Sequence, residues 1–289
     1  MLTTTDHRRD YAGFRYVYPV VSRRARGVSV GINLNPNNAC NWACVYCQVP
    51  DLQRGGPPPI DLAQLERELE TLLDDIVHGD FMLREVAEEA RTLMDIAFSG
   101  NGEPTSAAEF PQAVDRALRV IDELALPPAV KLRLITNGSL LHRPAVQEGI
   151  RRIGGQGGEP PERGTAAGRG EVWFKIDRAT AAGIEAVNRI AFTPDKARSN
   201  LLRCADLAPT WIQTCWFAVD GRPPDEAEQQ AYLELLDSVR TKIKGVHLYG
   251  LARPSLQPDS ARLGRLSADQ LAAFAARIAA QGIEVSLNP

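Results

Sequence analysis

The chain has 289 residues, of which 44% are hydrophobic and 24% charged, and its formal net charge at pH 7 is −3. These values are typical of an ordinary globular protein with a sizeable core, and the charge does not favour a polyanionic partner such as RNA. No stretch approaches the roughly 18 consecutive apolar residues of a membrane span, and the N-terminus lacks the apolar core of a secretory signal. We therefore expect a cytoplasmic protein without a membrane segment.

Arginines are frequent at the start of the chain, and we expect residues 1–27 to form a basic N-terminal extension. Beyond it, apolar runs rich in β-branched residues alternate with segments of helical periodicity. The predicted strands are 28–34, 94–99, 130–136, 171–176, 211–219, 245–251 and 283–287. The predicted helices are 62–78, 81–93, 107–126, 143–153, 194–207, 225–243 and 267–281. Ser267 and Gln270 are spaced as a capping box at the start of the last helix.

Strand–helix alternation predicts parallel strands joined by crossover helices. Six such units favour an α/β fold of the partial (β/α)6 TIM-like barrel type, with a doubly wound sheet as the alternative topology. Residues 28–255 would form the barrel core, and residues 256–289 would add a helix and a strand that complete the same domain. A Gly- and Pro-rich insertion at 154–170 is expected on the face opposite the site. Either topology places the chemistry in the loops that follow the C-terminal ends of the strands.

Three cysteines, Cys40, Cys44 and Cys47, follow the first predicted strand with the spacing Cys-x3-Cys-x2-Cys. Three thiolates in so short a loop can bind a soft-metal centre and leave one metal position without a protein ligand. A structural zinc site would need a fourth ligand, for which Cys204 or Cys215 is available in the sequence. The spacing therefore predicts a metal centre with an open coordination site, kept reduced in the cytoplasm.

The cysteine spacing after a first strand resembles the signature of the radical S-adenosylmethionine (SAM) superfamily. The resemblance implies a 4Fe–4S cluster on Cys40, Cys44 and Cys47, whose open iron takes the amino and carboxylate groups of SAM. It also implies reductive cleavage of SAM, usually to a 5′-deoxyadenosyl radical that abstracts hydrogen from a substrate. An electron donor such as flavodoxin or ferredoxin would be a partner.

Further segments resemble the family in the expected chain order and imply SAM-binding residues. Tyr46 would pack beside the adenine, and Leu251, at the end of the sixth strand, would flank it. The turn after the second strand resembles the family's Gly-Gly-Glu motif, which holds the amino group of SAM, although Asn101 and Gly102 replace the glycine pair. The SAM-binding residues that the resemblance implies are Tyr46, Ser99, Gly100, Asn101, Gly102, Glu103, Asn137, Lys175, Asp177 and Leu251.

The stretch 18–27 resembles the N-terminal pattern of a branch related to the wyosine-type tRNA-modifying enzymes. Arg23 and Arg24 in it would lie near the barrel mouth, or would simply form a surface turn. The substrate stays open among a nucleoside or tRNA, a peptide and a small metabolite, and Cys215 is a candidate hydrogen donor. The alternatives are a non-catalytic iron–sulfur or zinc protein, a glycyl-radical activating enzyme, and transfer of an aminocarboxypropyl group from SAM.

Overall fold

The computed structural model describes residues 2, 11–22, 27–156 and 170–288, so Arg23, Arg24 and most of the insertion at 154–170 lie outside the described residues. The strands in that part of the chain are β1 (Val17–Ser22), β2 (Gly27–Ile32), β3 (Ala39–Cys40), β4 (Gln53–Arg54), β5 (Leu93–Phe98), β6 (Lys131–Thr136), β7 (Glu171–Lys175), β8 (Thr210–Cys215), β9 (Ala218–Val219), β10 (Gly245–Tyr249), β11 (Leu263–Gly264) and β12 (Val285–Asn288). The helices are α1 (Leu62–Val77), α2 (Phe81–Glu85), α3 (Phe110–Glu123), α4 (Pro144–Ile153), α5 (Ala181–Asn188), α6 (Pro194–Leu207), α7 (Glu226–Val239) and α8 (Ala268–Ala279).

Eight strands form one sheet in the order β1-β2-β5-β6-β7-β8-β10-β12. β1 runs antiparallel to β2, and every other neighbouring pair in this sheet is parallel. Tyr18 near one edge and Asn288 at the other line the same central cavity, so the sheet is curled, although β1 and β12 do not pair. The prediction of a partial TIM-like barrel with parallel strands is confirmed.

Successive side chains in a strand point to opposite faces of the sheet, so alternate residues pack against the helices or line the central cavity. Leu134 and Val172, for example, belong to the hydrophobic core that also contains the buried faces of the helices. Arg133 and Trp173, their chain neighbours, line the central cavity instead. The core therefore lies between sheet and helices, and the inner face of the sheet is left for the site.

Local signals explain where several helices begin. Asp61 caps α1 by accepting a hydrogen bond from the backbone N–H of Gln64. The predicted capping box of α8 is confirmed: Ser267 Oγ accepts from Gln270 N at 3.1 Å, and Gln270 Oε1 accepts from Ser267 N at 2.9 Å. Among the described residues, every helix is too short or too polar to span a lipid bilayer.

Two predicted elements are wrong, and two observed elements were not predicted. The predicted helix 81–93 is wrong beyond Glu85, because Val86 is extended (φ −125°, ψ 134°) and the chain enters β5 at Leu93. The predicted strand 211–219 divides, since β8 ends at Cys215 and β9 pairs antiparallel with β11. Strand β1 was not predicted because it is an antiparallel edge strand beside a basic segment. Helix α5 was not predicted because it is only 8 residues long. The division into extension, core and C-terminal part stays a prediction.

Candidate active site

The loop between β2 and α1 carries Cys40, Cys44 and Cys47, and neighbouring elements hold it on several sides. Cys40 lies in β3, which pairs in parallel with β4, and its carbonyl accepts from Gly55 N at 3.0 Å. The N–H of Cys47 donates to the carbonyl of Cys44 at 3.0 Å. Val45 N donates to the Val187 carbonyl of α5 at 2.9 Å. The unpredicted helix α5 is therefore part of the support of the cysteine loop.

All three thiols line the central cavity. The N–H of Trp42 donates to Cys40 Sγ at 3.4 Å, and Asn188 Nδ2 donates to Cys44 Sγ at 3.3 Å. Burial raises the pKa of the Cys40 thiol to about 12 and that of the Cys44 thiol to about 11. Both are protonated at neutral pH in the metal-free protein, so metal binding must release their protons. Across the described ranges, no three His, Cys, Asp or Glu side chains are placed to hold a single metal ion.

The central cavity has a volume of about 350 Å³, within the range of small-molecule sites. It extends from the cysteine loop to the interior of the barrel, where Asp95 and Arg133 line it. The sequence-predicted site residues that line it are Cys40, Cys44, Tyr46, Cys47, Ser99, Gly100, Asn101, Gly102, Glu103, Asn137, Lys175 and Leu251. The fold thus brings together residues from five separate stretches of sequence.

The glycine turn after β5 packs directly against the cysteine loop. A Cβ on Gly102 would lie 2.1 Å from the backbone oxygen of Ala39, the residue before Cys40. Gly100 has φ +147°, and its Cβ would lie 2.4 Å from Asn33 Oδ1. That oxygen also accepts the N–H of Asn101 at 3.0 Å. Gly102 thus lets the backbone of this turn approach the cysteine loop closely.

Glu103 is buried, and its carboxylate is hydrogen-bonded within the protein. Oε1 accepts from Thr105 N at 3.1 Å, from Thr105 Oγ1 at 2.6 Å and from Thr136 Oγ1 at 2.7 Å. Oε2 accepts from Asn137 N at 2.7 Å. Burial raises the pKa of this carboxyl above its usual value, although these donors oppose the rise. Glu103 therefore ties the turn after β5 to the end of β6.

Asn137 continues this connection to the cysteine loop. Its Nδ2 donates to Asn41 Oδ1 at 2.9 Å, and Asn41 Nδ2 donates to Ser139 Oγ at 2.8 Å. Asn41 directly follows Cys40. The predicted site residues Glu103 and Asn137 thus form one hydrogen-bonded chain that ends beside the first cysteine.

Tyr46, Lys175 and Asp177 form a second polar group. The Tyr46 hydroxyl donates to Asp177 Oδ2 at 2.6 Å and accepts from Lys175 Nζ. Asp177 also accepts from Asn188 Nδ2 at 2.9 Å and from Cys215 N at 3.0 Å. Burial works against the charge of Lys175, but Asp177 and the nearby thiols and phenols outweigh it and raise its pKa. Lys175 is therefore a cation in the wall of the cavity.

Asp177 does not line the central cavity with its neighbours. Its side chain is fully buried, and its oxygens face Tyr46, Asn188 and the backbone of Cys215. In this structure the carboxylate positions Tyr46 and Asn188, and Asn188 in turn contacts Cys44. Its predicted contact with SAM stays a prediction.

The two remaining cysteines differ in placement. Cys204 is buried in α6 within the hydrophobic core, where Thr210 Oγ1 lies 3.6 Å from its sulfur. Cys215, at the end of β8, is buried and lines the central cavity. Cys204 is therefore poorly placed as a fourth ligand, whereas Cys215 stands in the wall of the same cavity as the three loop cysteines.

Sequence reasoning did not identify the residues of the inner barrel. Arg133 lies over the Trp173 ring at 4.6 Å and pairs with Asp95, and its Nε donates to Glu171 at 2.7 Å. Gln213 lies in the same cavity wall, and its Oε1 is buried without a hydrogen-bond partner among the described residues. The available signal was a charged or polar residue at alternate positions of otherwise apolar strands.

Replacing Gly102 by Ala is expected to lower the free energy of unfolding by about 1–3 kcal/mol, because the new methyl group would overlap the backbone of Ala39. Gly56 is a matched control in the same region, since a Cβ there meets nothing within 4 Å. Denaturant unfolding of the two variants checks this prediction. Equal stabilities for the Gly102→Ala and Gly56→Ala proteins would contradict it.

No protein-family model matches the chain. A curated protein of Helicobacter pylori (strain ATCC 700392 / 26695), described as a UPF0026 protein, is 30% identical over 137 residues, which are 47% of this chain and 38% of that protein. The chain therefore spans well under half the length of this relative.

Solved structures match over most of the chain. A radical SAM methyltransferase from Sphaerobacter thermophilus gives a TM-score of 0.58 at 16% identity and covers 90% of this chain and 66% of its own. TYW1 with a lysine-pyruvate adduct bound gives a TM-score of 0.53 at 14% identity, covering 88% of this chain and 73% of its own. This chain therefore has the radical SAM fold, which confirms at the level of the fold the resemblance carried by its cysteine loop.

Proposed function

We propose that this chain is a radical SAM enzyme, in which Cys40, Cys44 and Cys47 hold a 4Fe–4S cluster and the central cavity binds SAM. The observation that supports this most is that the three thiols line one cavity together with the glycine turn after β5. That cavity lies where the strands of a parallel barrel end, which is the usual place for chemistry in such folds. The N-terminal resemblance and the fold shared with TYW1 favour a branch near the wyosine-type enzymes.

The residues present fit both groups. Thiolates are the ligands that iron–sulfur clusters take from proteins, and three of them leave one iron for a non-protein ligand. Buried polar atoms without a hydrogen-bond partner among the described residues remain in the cavity wall, at Trp42 Nε1, Asn101 Oδ1 and Gln213 Oε1. Such atoms are costly unless a ligand satisfies them. A polar ligand with both donors and acceptors, such as SAM, would supply the missing partners of Trp42 Nε1 and Asn101 Oδ1, and a polar substrate would supply that of Gln213 Oε1.

A 4Fe–4S cluster held by Cys40, Cys44 and Cys47 would supply the electron for reductive cleavage of SAM. The chain's own residues prepare the cavity for this chemistry. Asp177 fixes the Tyr46 hydroxyl, which in turn holds the ammonium group of Lys175 in the cavity wall, where it would orient an anionic group such as a carboxylate. Asn188 and Trp42 donate hydrogen bonds to the sulfurs of Cys44 and Cys40, which lowers the cost of negative charge there.

The inner half of the cavity is the proposed substrate site. Gln213 Oε1 offers an acceptor there, and Arg133, though paired with Asp95 and Glu171, forms part of the wall. These groups favour a polar substrate, which leaves a nucleoside in RNA, a peptide and a small metabolite open. Reduced thiols and an oxygen-sensitive cluster favour the cytoplasm, and an electron carrier such as flavodoxin or ferredoxin would be a partner.

Identifying the products that the protein forms from SAM tests the proposal. The protein, reconstituted with iron and sulfide without oxygen, is mixed with dithionite and SAM, and nucleosides are analysed by mass spectrometry. We expect 5′-deoxyadenosine and methionine. Methylthioadenosine in place of 5′-deoxyadenosine would indicate the other C–S bond and aminocarboxypropyl chemistry. A cluster-loaded protein that forms neither nucleoside would contradict the proposed function.

A further inference from the structure

A second cavity, also about 350 Å³, lies on the other side of the cysteine loop. Val45 lines this second cavity, whereas its chain neighbours Cys44 and Tyr46 line the central one. Phe217 is also in the wall of the second cavity, and its ring packs edge-on against that of Tyr46 at 5.4 Å between centroids. One layer of residues therefore separates the second cavity from the cysteine thiols.

Arginines surround this second cavity. Arg189, Arg222 and Arg262 are exposed in its lining, while Arg54 donates to the carbonyls of Asn41 and Arg189 nearby. Two carboxylates oppose them: Asp259 pairs with Arg189 at 2.8 Å and Arg262 at 3.1 Å, and Asp220 pairs with Arg262 at 2.7 Å. The four named arginines outnumber the two aspartates, so these side chains together carry a net positive charge, although the formal net charge of the chain is −3.

An exposed leucine lies beside the same loop. The side chain of Leu256 is 58% exposed, and its backbone N–H donates to the carbonyl of Cys47 at 3.0 Å. Ser255 Oγ donates to the carbonyl of Val45 at 2.7 Å and accepts from Gln257 N at 3.0 Å, so the residues on both sides of the leucine are held in place. Residues 255–262 then run from the cysteine loop to the rim of the second cavity, where Asp259 and Arg262 lie. An exposed apolar side chain on a segment that leads to several arginines is a composition typical of protein interfaces.

We propose that this face, which we name the donor face and define by Arg189, Arg222, Leu256 and Arg262, binds a small acidic electron-transfer protein. The inference rests on the proposed function and names the partner that this function requires. Because SAM and substrate would fill the central cavity, an electron would reach the cysteines from another side, and the second cavity adjoins the cysteine loop at Val45.

The electron balance is simple. One electron passes from the reduced flavin or iron–sulfur centre of the carrier to the cluster, so the carrier is oxidised, the cluster is reduced and no bond forms between the two proteins. Charge complementarity favours an acidic protein and speeds its approach. The exposed Leu256 fits a protein surface better than it fits the phosphates of RNA.

The test compares two reductants on the same reconstituted holoenzyme. Formation of 5′-deoxyadenosine is measured with dithionite, a small ion that needs no docking site, and with reduced bacterial flavodoxin or ferredoxin. The variants are Arg222→Glu, Leu256→Asp and the double variant. The control is Arg203→Glu, which changes an exposed arginine of α6, a helix that does not line the second cavity.

We expect the double variant to lower the carrier-driven rate about tenfold or more, while the dithionite-driven rate and the iron content stay within about twofold of the unmodified protein. Added salt should lower the carrier-driven rate of the unmodified protein more than its dithionite-driven rate. The control variant should behave as the unmodified protein does.

Several outcomes would overturn the donor face. The first is a carrier-driven rate that the double variant leaves unchanged. The second is a loss of rate in the double variant that is equal with the carrier and with dithionite. The third is an unmodified protein that dithionite reduces but that neither flavodoxin nor ferredoxin reduces. Binding of a fluorescent tRNA that Arg222→Glu abolishes, without any loss of carrier-driven reduction, would assign the face to RNA instead. Failure of the proposed function gives a different result, since the unmodified protein would then fail with dithionite as well.

Discussion

Alanine at any one of Cys40, Cys44 or Cys47 is expected to reduce SAM cleavage at least about 100-fold. Each thiolate of a three-cysteine site binds a different iron, so a missing ligand leaves the cluster with two protein ligands and unprotected against loss of iron. The measurements are iron and sulfide per protein after anaerobic reconstitution, followed by 5′-deoxyadenosine formation with dithionite. The three variants should give the same result, because the loop offers no substitute thiol.

Cys204→Ala is the matched control. Cys204 is buried in α6 and does not line the central cavity, so its loss should cost no more than about 1–2 kcal/mol of stability and leave the cluster in place. Cys215→Ala can be compared with the three loop variants, because Cys215 also lines the central cavity. Retained SAM cleavage in any single variant of the three loop cysteines would contradict the cluster assignment.

Loss of the Glu103 carboxylate is expected to have the second largest effect. Its two oxygens accept four hydrogen bonds, from Thr105 N, Thr105 Oγ1, Thr136 Oγ1 and Asn137 N, and alanine would leave these buried donors without partners. We expect Glu103→Ala to lower the free energy of unfolding by about 3 kcal/mol or more. Chemical denaturation followed by far-ultraviolet circular dichroism measures this loss.

The conservative variant Glu103→Gln separates the effect on the site from that on the fold. It keeps the shape of the side chain but places an amide NH2 opposite a hydrogen-bond donor, which should disturb Asn137 and the adjoining cysteine loop. We expect the Kd for SAM to rise about tenfold while the iron content stays near that of the unmodified protein. Glu89→Gln, on the exposed surface, is the control. An unchanged Kd would remove Glu103 from any role in SAM binding.

Much of the fold could be predicted because its signals are local. The strands that became β2, β5, β6, β7 and β10 are short runs rich in apolar residues, and their predicted bounds are within a few residues of the observed ones. The cysteine spacing likewise needed no distant information. The helix predicted over 81–93 failed because its apolar spacing continued past Val86, where the chain turns extended to enter the sheet.

The rest of the site depends on contacts between residues distant in sequence. Nothing near Asn188 in the sequence indicates that its side chain donates to Cys44 Sγ, 144 residues earlier. Glu103 and Lys175 were expected to face SAM. In the assembled barrel, however, Glu103 also accepts a hydrogen bond from Asn137, and Lys175 donates one to Tyr46. The place of Gln213 in the cavity wall could not be predicted either, because in the sequence it is only one polar residue within a buried strand. Side-chain partners of this kind follow from the topology and cannot be read from spacing.

The measurement that tests the central claim most directly is electron paramagnetic resonance of the reconstituted and reduced protein, recorded with and without SAM. We predict the signal of a reduced 4Fe–4S cluster whose g values shift when SAM is added, because SAM would coordinate the iron that the three cysteines leave open. Cys204→Ala should give the same shift. A cluster signal that SAM leaves unchanged, or a protein that retains only tightly bound zinc, would contradict the account.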